Sequence, residues 1–239
     1  MRMIGLIGGM SWESTAVYYR RLNETVRDRL GGLNSANVLL RSVNFDAIVA
    51  LQKAGQWDEA AAVLAGIGQD LERAGAECVL ICTNTMHKLA DQVQAAITVP
   101  LIHIVDVTGA ALTAAGARRP LLLATGYTME QAFYRERLKS VAGIEAMVPD
   151  ADDRAAVHAI IFDELCQGIV KDASRQRYCQ IIARAKAAGA DSVILGCTEI
   201  GLLIRPDDVD LPVFDSTDLH ADAAVAFSIG AAQTGRKAA

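Results

Sequence analysis

The fold is decided by the stretch Ala-Ala-Gly-Ala-Asp-Ser-Val-Ile-Leu-Gly-Cys-Thr-Glu, which occupies residues 187–199. Its segment Ser192–Leu195 is short, apolar and partly β-branched, and it follows a helix-ending glycine. This pattern is typical of a buried parallel strand. Cys197 comes directly after the strand, and ligands of open α/β sheets bind at the carboxyl ends of strands. The stretch therefore predicts a thiol at a ligand-binding edge.

The same pattern occurs earlier in the chain, at residues 74–85, which read Ala-Gly-Ala-Glu-Cys-Val-Leu-Ile-Cys-Thr-Asn-Thr. When the two copies are aligned on Ala-Gly-Ala, Thr83 matches Cys197. A second echo relates the turn at residues 8–11 to the turn at residues 125–128. These repeats predict a duplicated unit in which equivalent strands end at a threonine and at a cysteine.

Strand-like and helix-like segments alternate along the whole chain. Each half reads as four strand–helix units, which predicts mainly parallel four-stranded sheets with helices on their faces. We expect an α/β fold of two similar lobes, related by a pseudo-twofold axis, with the active site in the cleft between them. The first lobe comprises residues 1–103 and 212–239, and the second comprises residues 104–211. The closing helix, from Thr217 to about Ala232, returns to the first lobe.

Composition narrows the class of protein. The 239 residues are 52% hydrophobic and 21% charged, with a net charge of −5 and no Lys/Arg cluster, which argues against a nucleic-acid partner or a membrane anchor. The amino terminus enters a strand at once and lacks the features of a signal peptide. Five cysteines, an odd number without zinc-ligand spacing, predict reduced thiols in the cytoplasm and no metal site.

The pair Thr83 and Cys197 indicates a type of chemistry. Opposed proton-transfer groups suit a reaction that removes a proton from one face of a carbon and returns a proton to the other face. A thiol suits the role of base because its pKa, about 8.5, lies close to working pH. Backbone N–H groups at the strand-to-helix turns can hold a carboxylate and stabilise enolate-like charge. The pair therefore predicts racemisation or epimerisation of a small molecule without a cofactor.

Other interpretations of these residues stay open. A cysteine at a strand end is in general more often a small core residue. His87 is either a catalytic acid near Thr83 or a ring packed on a helix, and Cys82 can point away from the cleft because a strand alternates faces. Three histidines offer no arrangement to argue from: His103, His158 and His220. Three cysteines are interpreted as structural: Cys78, Cys166 and Cys179.

Four motifs together carry a family resemblance: residues 8–11, 83–87, 125–128 and 196–199. With them, nearly the whole chain resembles the aspartate/glutamate racemase family, whose members need no cofactor. The resemblance implies a homodimer and an acid/base pair of two cysteines, found in a Cys-Asn-Thr and a Gly-Cys-Thr motif. Carried over by position, one member of the pair is Cys197 and the other falls on Thr83, since Cys82 lies one place too early.

A threonine hydroxyl is a far weaker base than a thiol, so this departure predicts a kinetic asymmetry. The resemblance includes a subgroup with such a Thr/Cys pair that acts preferentially on L-aspartate and L-glutamate. It also implies contacts to the amino acid from nine side chains: Met10, Gln52, Asn84, Thr85, Thr125, Thr128, Lys171, Thr198 and Glu199. Gln52 alternatively faces solvent. Lys171 is the candidate for the distal carboxylate, because the arginine that some members carry near residues 46–48 is missing.

Two alternatives remain at this point. Within the wider superfamily of hydantoin racemases, maleate isomerases and arylmalonate decarboxylases, Cys197 would act as a nucleophile or a lone proton donor. A non-enzymatic protein that binds an amino acid, with one acid/base group lost, is the other alternative.

Overall fold

The computed structural model describes residues 1–230 of the chain. Its internal contacts divide the chain into two compact units. The first unit comprises Met1–His103 together with residues 220–230, and the second comprises Ile104–Leu219. Both are α/β units with parallel sheets, as the sequence predicts.

The first unit is built around a parallel sheet of three strands in the order β2-β1-β3. In β1, Ile4 lies opposite Val38 on one side and Cys78 on the other. The elements of this unit are β1 (Ile4–Gly8), α1 (Trp12–Leu30), β2 (Val38–Ser42), α2 (Phe45–Lys53), α3 (Trp57–Arg73), β3 (Cys78–Ile81), a 3₁₀ turn (Thr85–Leu89) and α4 (Ala90–Ala96).

All five residues of β1 are buried, because helices cover both faces of its sheet. Alternate residues of the strand point to opposite faces, so Leu6 and Ile7 belong to different apolar clusters. Leu6 packs with residues of α1, such as Leu22, and with residues 221–229 of the closing helix. Ile7 packs with α3, for example with Leu64. This sandwich fixes the carboxyl ends of β1 and β3 at one edge of the unit.

The second unit repeats this plan with a parallel sheet in the order β4-β5-β6. Its elements are α5 (Ile104–Ala114), β4 (Pro120–Leu123), α6 (Gly126–Glu130), α7 (Ala132–Ala142), α8 (Ala151–Asp163), a 3₁₀ turn (Leu165–Gln167), α9 (Asp172–Ala187), β5 (Ser192–Leu195), α10 (Ile200–Leu203), a 3₁₀ turn (Pro206–Asp208), β6 (Val213–Asp215) and α11 (Ser216–Ile229). The last helix begins in the second unit and continues in the first.

The expectation of four strands in each sheet is wrong, since each sheet has three strands among residues 1–230. In the first unit, the segment expected as the fourth strand forms one bridge, between Val79 and Leu101. The preceding residue, Pro100, has no N–H group to donate to a longer ladder. In the second unit, the expected strand at residues 144–148 is likewise one bridge, between Leu121 and Met147.

Residues 212–219, which the sequence predicts in the first lobe, belong to the second unit. The reason is that β6 pairs with β5, with Asp215 opposite Leu195. Residues 220–230 lie in the first unit. The closing helix ends at Ile229, and the expected extension to Ala232, like the rest of residues 231–239 of the expected first lobe, lies outside the described residues.

Candidate active site

The turn after β1 brings the chain close to the end of β2. Gly9 has a φ of +89°, and a Cβ atom there would lie 2.3 Å from the carbonyl oxygen of Val43, so that only glycine fits. Its N–H donates to Thr15 Oγ1 at 2.8 Å. Ser11 caps α1, since its Oγ accepts from the N–H of Ser14 at 3.2 Å. The predicted substrate ligand Met10 is buried in the apolar cluster that contains Ile7.

The turn after β3, residues 82–87, presents one side chain differently from its neighbours. Every residue from Cys78 to His87 is buried except Thr83, which is half-buried. Cys82 lies in the apolar cluster that contains Leu6, and burial raises the pKa of its thiol far above the ordinary value. Of the two candidate residues at this strand end, Thr83 is therefore the accessible one.

His87 holds the backbone of the same turn. Its Nδ1 lies 2.8 Å from the carbonyl oxygen of Thr83. Because a carbonyl oxygen only accepts, Nδ1 is the nitrogen that donates. The ring is thus buried, as the packing interpretation expects, and it lies next to Thr83, as the interpretation of His87 as a catalytic acid requires.

Three further residues of the first unit were expected to contact substrate. Asn84 and Thr85 are buried in the turn that Thr83 begins. Gln52 is only 6% exposed, so it does not face solvent, and its Nε2 donates to Met86 Sδ at 3.0 Å. Met86 follows Thr85 directly, and this contact ties α2 to the Thr83 turn.

A cluster of buried histidines that sequence reasoning missed lies behind this turn. The ring of His87 lies 4.6 Å from that of His103 and 5.4 Å from that of His220, centroid to centroid. His220 Nε2 donates to the carbonyl oxygen of Ile102 at 2.6 Å, and its Nδ1 accepts from the Tyr18 hydroxyl at 2.7 Å. Burial lowers the pKa of His220 to about 4, so its imidazole is neutral at pH 7.

The turn after β5 mirrors the arrangement in the first unit. Every residue from Ser192 to Ile200 is buried except Cys197, which is half-buried. The preceding Gly196 donates its N–H to the carbonyl oxygen of Leu123 at 2.7 Å. A Cβ atom on Gly196 would lie 2.8 Å from Leu122 Cδ1, which explains the glycine before the cysteine.

Cys197 is hydrogen-bonded to a carboxylate. Its Sγ donates to Glu199 Oε2 at 2.9 Å. Burial, followed by the negative charge of Glu199 and the neighbouring Cys166, holds the pKa of the Cys197 thiol well above its usual range. At rest, Cys197 is therefore a thiol beside a buried proton acceptor.

The structure assigns different surroundings to two other residues of this turn. Glu199, expected to contact the amino acid, is only 3% exposed, and its second oxygen lies 3.6 Å from the Sγ of Cys166. The interpretation of Cys166 as merely structural therefore misses a contact with the site. Thr198 Oγ1 accepts from the hydroxyl of Thr217 at 3.1 Å, which orients it within the turn.

Two of the predicted ligands lie at the carboxyl end of β4. Thr125 and Thr128 are both buried, and their hydroxyl oxygens are 3.3 Å apart. Between them, Gly126 donates its N–H to Nδ1 of His158 at 3.1 Å, a contact that the sequence did not reveal. A cavity of about 470 Å³ adjoins this turn and is lined by Gly126, Tyr127, Glu130, Gln131, Arg154, Ala155 and His158.

Lys171, the candidate for a distal carboxylate, stands exposed at the start of α9. Its Nζ pairs with Glu164 Oε1 at 3.1 Å, and the other oxygen of Glu164 accepts from Ser174 Oγ at 2.6 Å. These donors lower the pKa of Glu164, with the Ser174 hydrogen bond first among the causes. Lys171 is thus already held by an internal carboxylate of its own unit.

Two features are absent from residues 1–230. No group of three or more His, Cys, Asp or Glu side chains in this part of the chain is arranged to hold a metal ion. Among its helices, none combines the length with the apolar content that crossing a membrane requires.

Each of the two α/β units carries a small side chain with an exchangeable proton at the end of a strand. This arrangement defines the class of protein among which relatives of the chain are expected. The family model described as Asp/Glu/Hydantoin racemase matches residues 7–224. The chain belongs to this family and is an isomerase of the amino-acid racemase type.

Solved structures and a curated relative agree with this assignment. A Yersinia pestis protein proposed to be an Asp/Glu racemase is 48% identical, with a TM-score of 0.90 over 96% of this chain and 100% of that one. An aspartate racemase homologue from Pyrococcus horikoshii OT3 is 32% identical, with a TM-score of 0.85 over 96% of this chain and 100% of that one. The broad specificity amino-acid racemase RacX of Bacillus subtilis (strain 168) is 22% identical over 90% of this chain and 93% of its own length.

Proposed function

We propose that the protein racemises an acidic amino acid, aspartate or glutamate, without a cofactor, and that Cys197 and Thr83 exchange protons with Cα from opposite faces. One observation carries the proposal: at equivalent strand ends, each unit presents one half-buried side chain with an exchangeable proton in a run of buried neighbours. The reaction requires both side chains to reach the same carbon atom.

Cys197 is the stronger of the two bases. The nearby Glu199 Oε2, at 2.9 Å, can take the thiol proton as the sulfur takes the proton from Cα. The charge of the pair is the same before and after this internal transfer, so no buried charge is added. On this basis Cys197 removes the α-proton of one enantiomer readily, and the family resemblance assigns the L-form to it.

Thr83 serves the opposite face as a proton donor or relay. An aliphatic hydroxyl is too weak an acid to persist as an alkoxide at pH 7, so proton removal by Thr83 is slow. His87, hydrogen-bonded to the Thr83 carbonyl, fixes the backbone from which the hydroxyl projects. The pair is thus asymmetric, and the L-form is the substrate whose proton is removed readily.

The headgroup of the amino acid is assigned to the polar residues of the two turns: Asn84, Thr85, Thr198 and Glu199, with Met10, Gln52, Thr125 and Thr128 in support. Lys171 is the side chain assigned to the distal carboxylate, since it is cationic and exposed. Binding of substrate there competes with its pairing to Glu164. The RacX relative is named for broad specificity, so the contact of Lys171 with the distal carboxylate is the first one to test.

The test is Cα–H exchange in heavy water over a panel of L- and D-amino acids, followed by NMR and chiral chromatography. The proposal expects deuterium at Cα and formation of the opposite enantiomer with aspartate or glutamate, both lost in Cys197→Ala. Cys179→Ala, which alters another half-buried thiol, is the matched control and keeps activity. Binding of aspartate without exchange at any enzyme concentration would reject catalysis, and a covalent adduct of Cys197 with an unsaturated diacid would favour the alternative chemistry.

A further inference from the structure

Two thiols flank one buried carboxylate in the second unit. Cys197 Sγ lies 2.9 Å from Oε2 of Glu199, and Cys166 Sγ lies 3.6 Å from Oε1 of the same side chain. Each thiol therefore addresses a different oxygen. Nothing in the proposed chemistry uses Cys166, yet its sulfur contacts the group that accepts the Cys197 proton.

The segment that carries Cys166 is well fixed. The thiol lies on the 3₁₀ turn Leu165–Gln167, where the neighbouring Leu165 is fully buried in the apolar core. The turn closes at Gly168 in the left-handed conformation, with a φ of 72°. A donor on a rigid turn restricts rotation of the Glu199 carboxylate and so fixes which of its oxygens faces Cys197.

We propose that Cys166 is a positioning residue for the racemisation: its S–H group holds Oε1 of Glu199 so that Oε2 faces Cys197 as its proton acceptor. This inference rests on the proposed function. In the step concerned, the S–H bond of Cys197 breaks and an O–H bond forms on Oε2. The thiolate then takes the Cα proton, while Cys166 keeps its own proton throughout.

Titratable groups of other elements lie near this carboxylate. From α9, the hydroxyl of Tyr178 faces both thiols and Glu199, and burial raises its pKa well above the ordinary value. Glu164 also lies near Tyr178, and its charge is balanced by Lys171. From β6, the carboxyl of Asp215 packs against Gly201 in α10, and burial raises the pKa of this carboxyl to about 6.

The experiment compares Cys166→Ala, which removes the donor, with Cys166→Ser, which keeps one. In the alanine variant we expect the kcat for exchange from the L-enantiomer to fall about three- to tenfold, as for one lost hydrogen bond, with KM within twofold. Serine restores kcat, and the control Cys179→Ala leaves it unchanged.

A second readout does not depend on catalysis. The rate at which iodoacetamide alkylates Cys197 at pH 8, followed by mass spectrometry of its peptide, reports the fraction of thiolate. We expect alkylation to accelerate in Cys166→Ala, because the Glu199 carboxylate is then no longer held beside Cys197 Sγ, and to return to the wild-type rate in Cys166→Ser. The same kcat and the same alkylation rate in Cys166→Ala as in the wild type would overturn the role of Cys166. Absence of exchange in the wild type would instead overturn the proposed function.

Discussion

His220 makes the first unit sensitive to acid, and the effect can be calculated. The imidazole is fully buried, and burial lowers its pKa from 6.5 to about 4. Below pH 6.5 the unfolded chain binds a proton that the folded chain rejects, so stability falls as the pH drops from 6.5 towards 4. The loss is about 2 kcal/mol between pH 7.5 and pH 5, and about 3 kcal/mol once the pH is below 4.

The substitution His220→Gln removes the titration. It also disturbs the hydrogen bonds to Tyr18 and to the carbonyl of Ile102, so the variant is less stable at every pH. The informative quantity is therefore the change in unfolding free energy between pH 7.5 and pH 5. We expect the variant to lose about 2 kcal/mol less than the wild type over this interval.

Urea unfolding followed by tryptophan fluorescence suits this measurement, because both tryptophans, Trp12 and Trp57, lie in the first unit. His158→Gln is the matched control. Burial also lowers the pKa of His158, but this residue lies in the second unit, so its variant keeps the wild-type pH dependence of the tryptophan signal. An equal acid loss in the wild type and His220→Gln would refute the reasoning.

Three further substitutions test individual features. Gly9→Ala destabilises the first unit by about 3 kcal/mol or more in urea unfolding, because φ of Gly9 is positive and backbone atoms occupy the place of the new Cβ. In the control Gly55→Ala, φ is also positive but the Cβ meets open space, so the loss is about 1 kcal/mol. Equal losses in the two variants would contradict this. Glu199→Gln removes the negative charge beside Cys197, so iodoacetamide alkylation at pH 8 accelerates about tenfold, and an unchanged rate would show that the charge does not act on the thiol. Lys171→Met raises KM for aspartate about tenfold while unfolding stays as in wild type, since exposed ion pairs stabilise little; an unaltered KM would assign the distal carboxylate elsewhere.

The strand ends could be predicted from sequence because their signals are local. A short apolar run followed by a glycine and a small polar residue predicts a buried strand and its turn without knowledge of the rest of the chain. The observed steric need for glycine at Gly9 and Gly196 agrees with that pattern. The internal repeat then identified Thr83 and Cys197 as equivalent, and they are the accessible residues of their turns.

Features that depend on distant segments could not be predicted in this way. Apolar residues around Leu101 and Met147 resemble strands, yet each segment makes only one bridge to its sheet. The contact of Cys166 with Glu199 joins a 3₁₀ turn to a strand end, with α9 and β5 between them along the chain. Similarly, His220 approaches His87 only because the closing helix packs on the first unit.

The most direct test of the central claim follows deuterium at Cα of recovered substrate in heavy water. Enantiomers have equal free energy in water, so kcat/KM for racemisation must be the same in both directions. Asymmetry between Cys197 and Thr83 therefore appears as deuterium exchange at Cα without inversion of the amino acid. For the wild type we predict that recovered L-aspartate gains deuterium faster than D-aspartate forms, whereas recovered D-aspartate keeps its proton. In Thr83→Cys, both recovered enantiomers gain deuterium. Equal, rapid exchange into both enantiomers by the wild type would contradict the account.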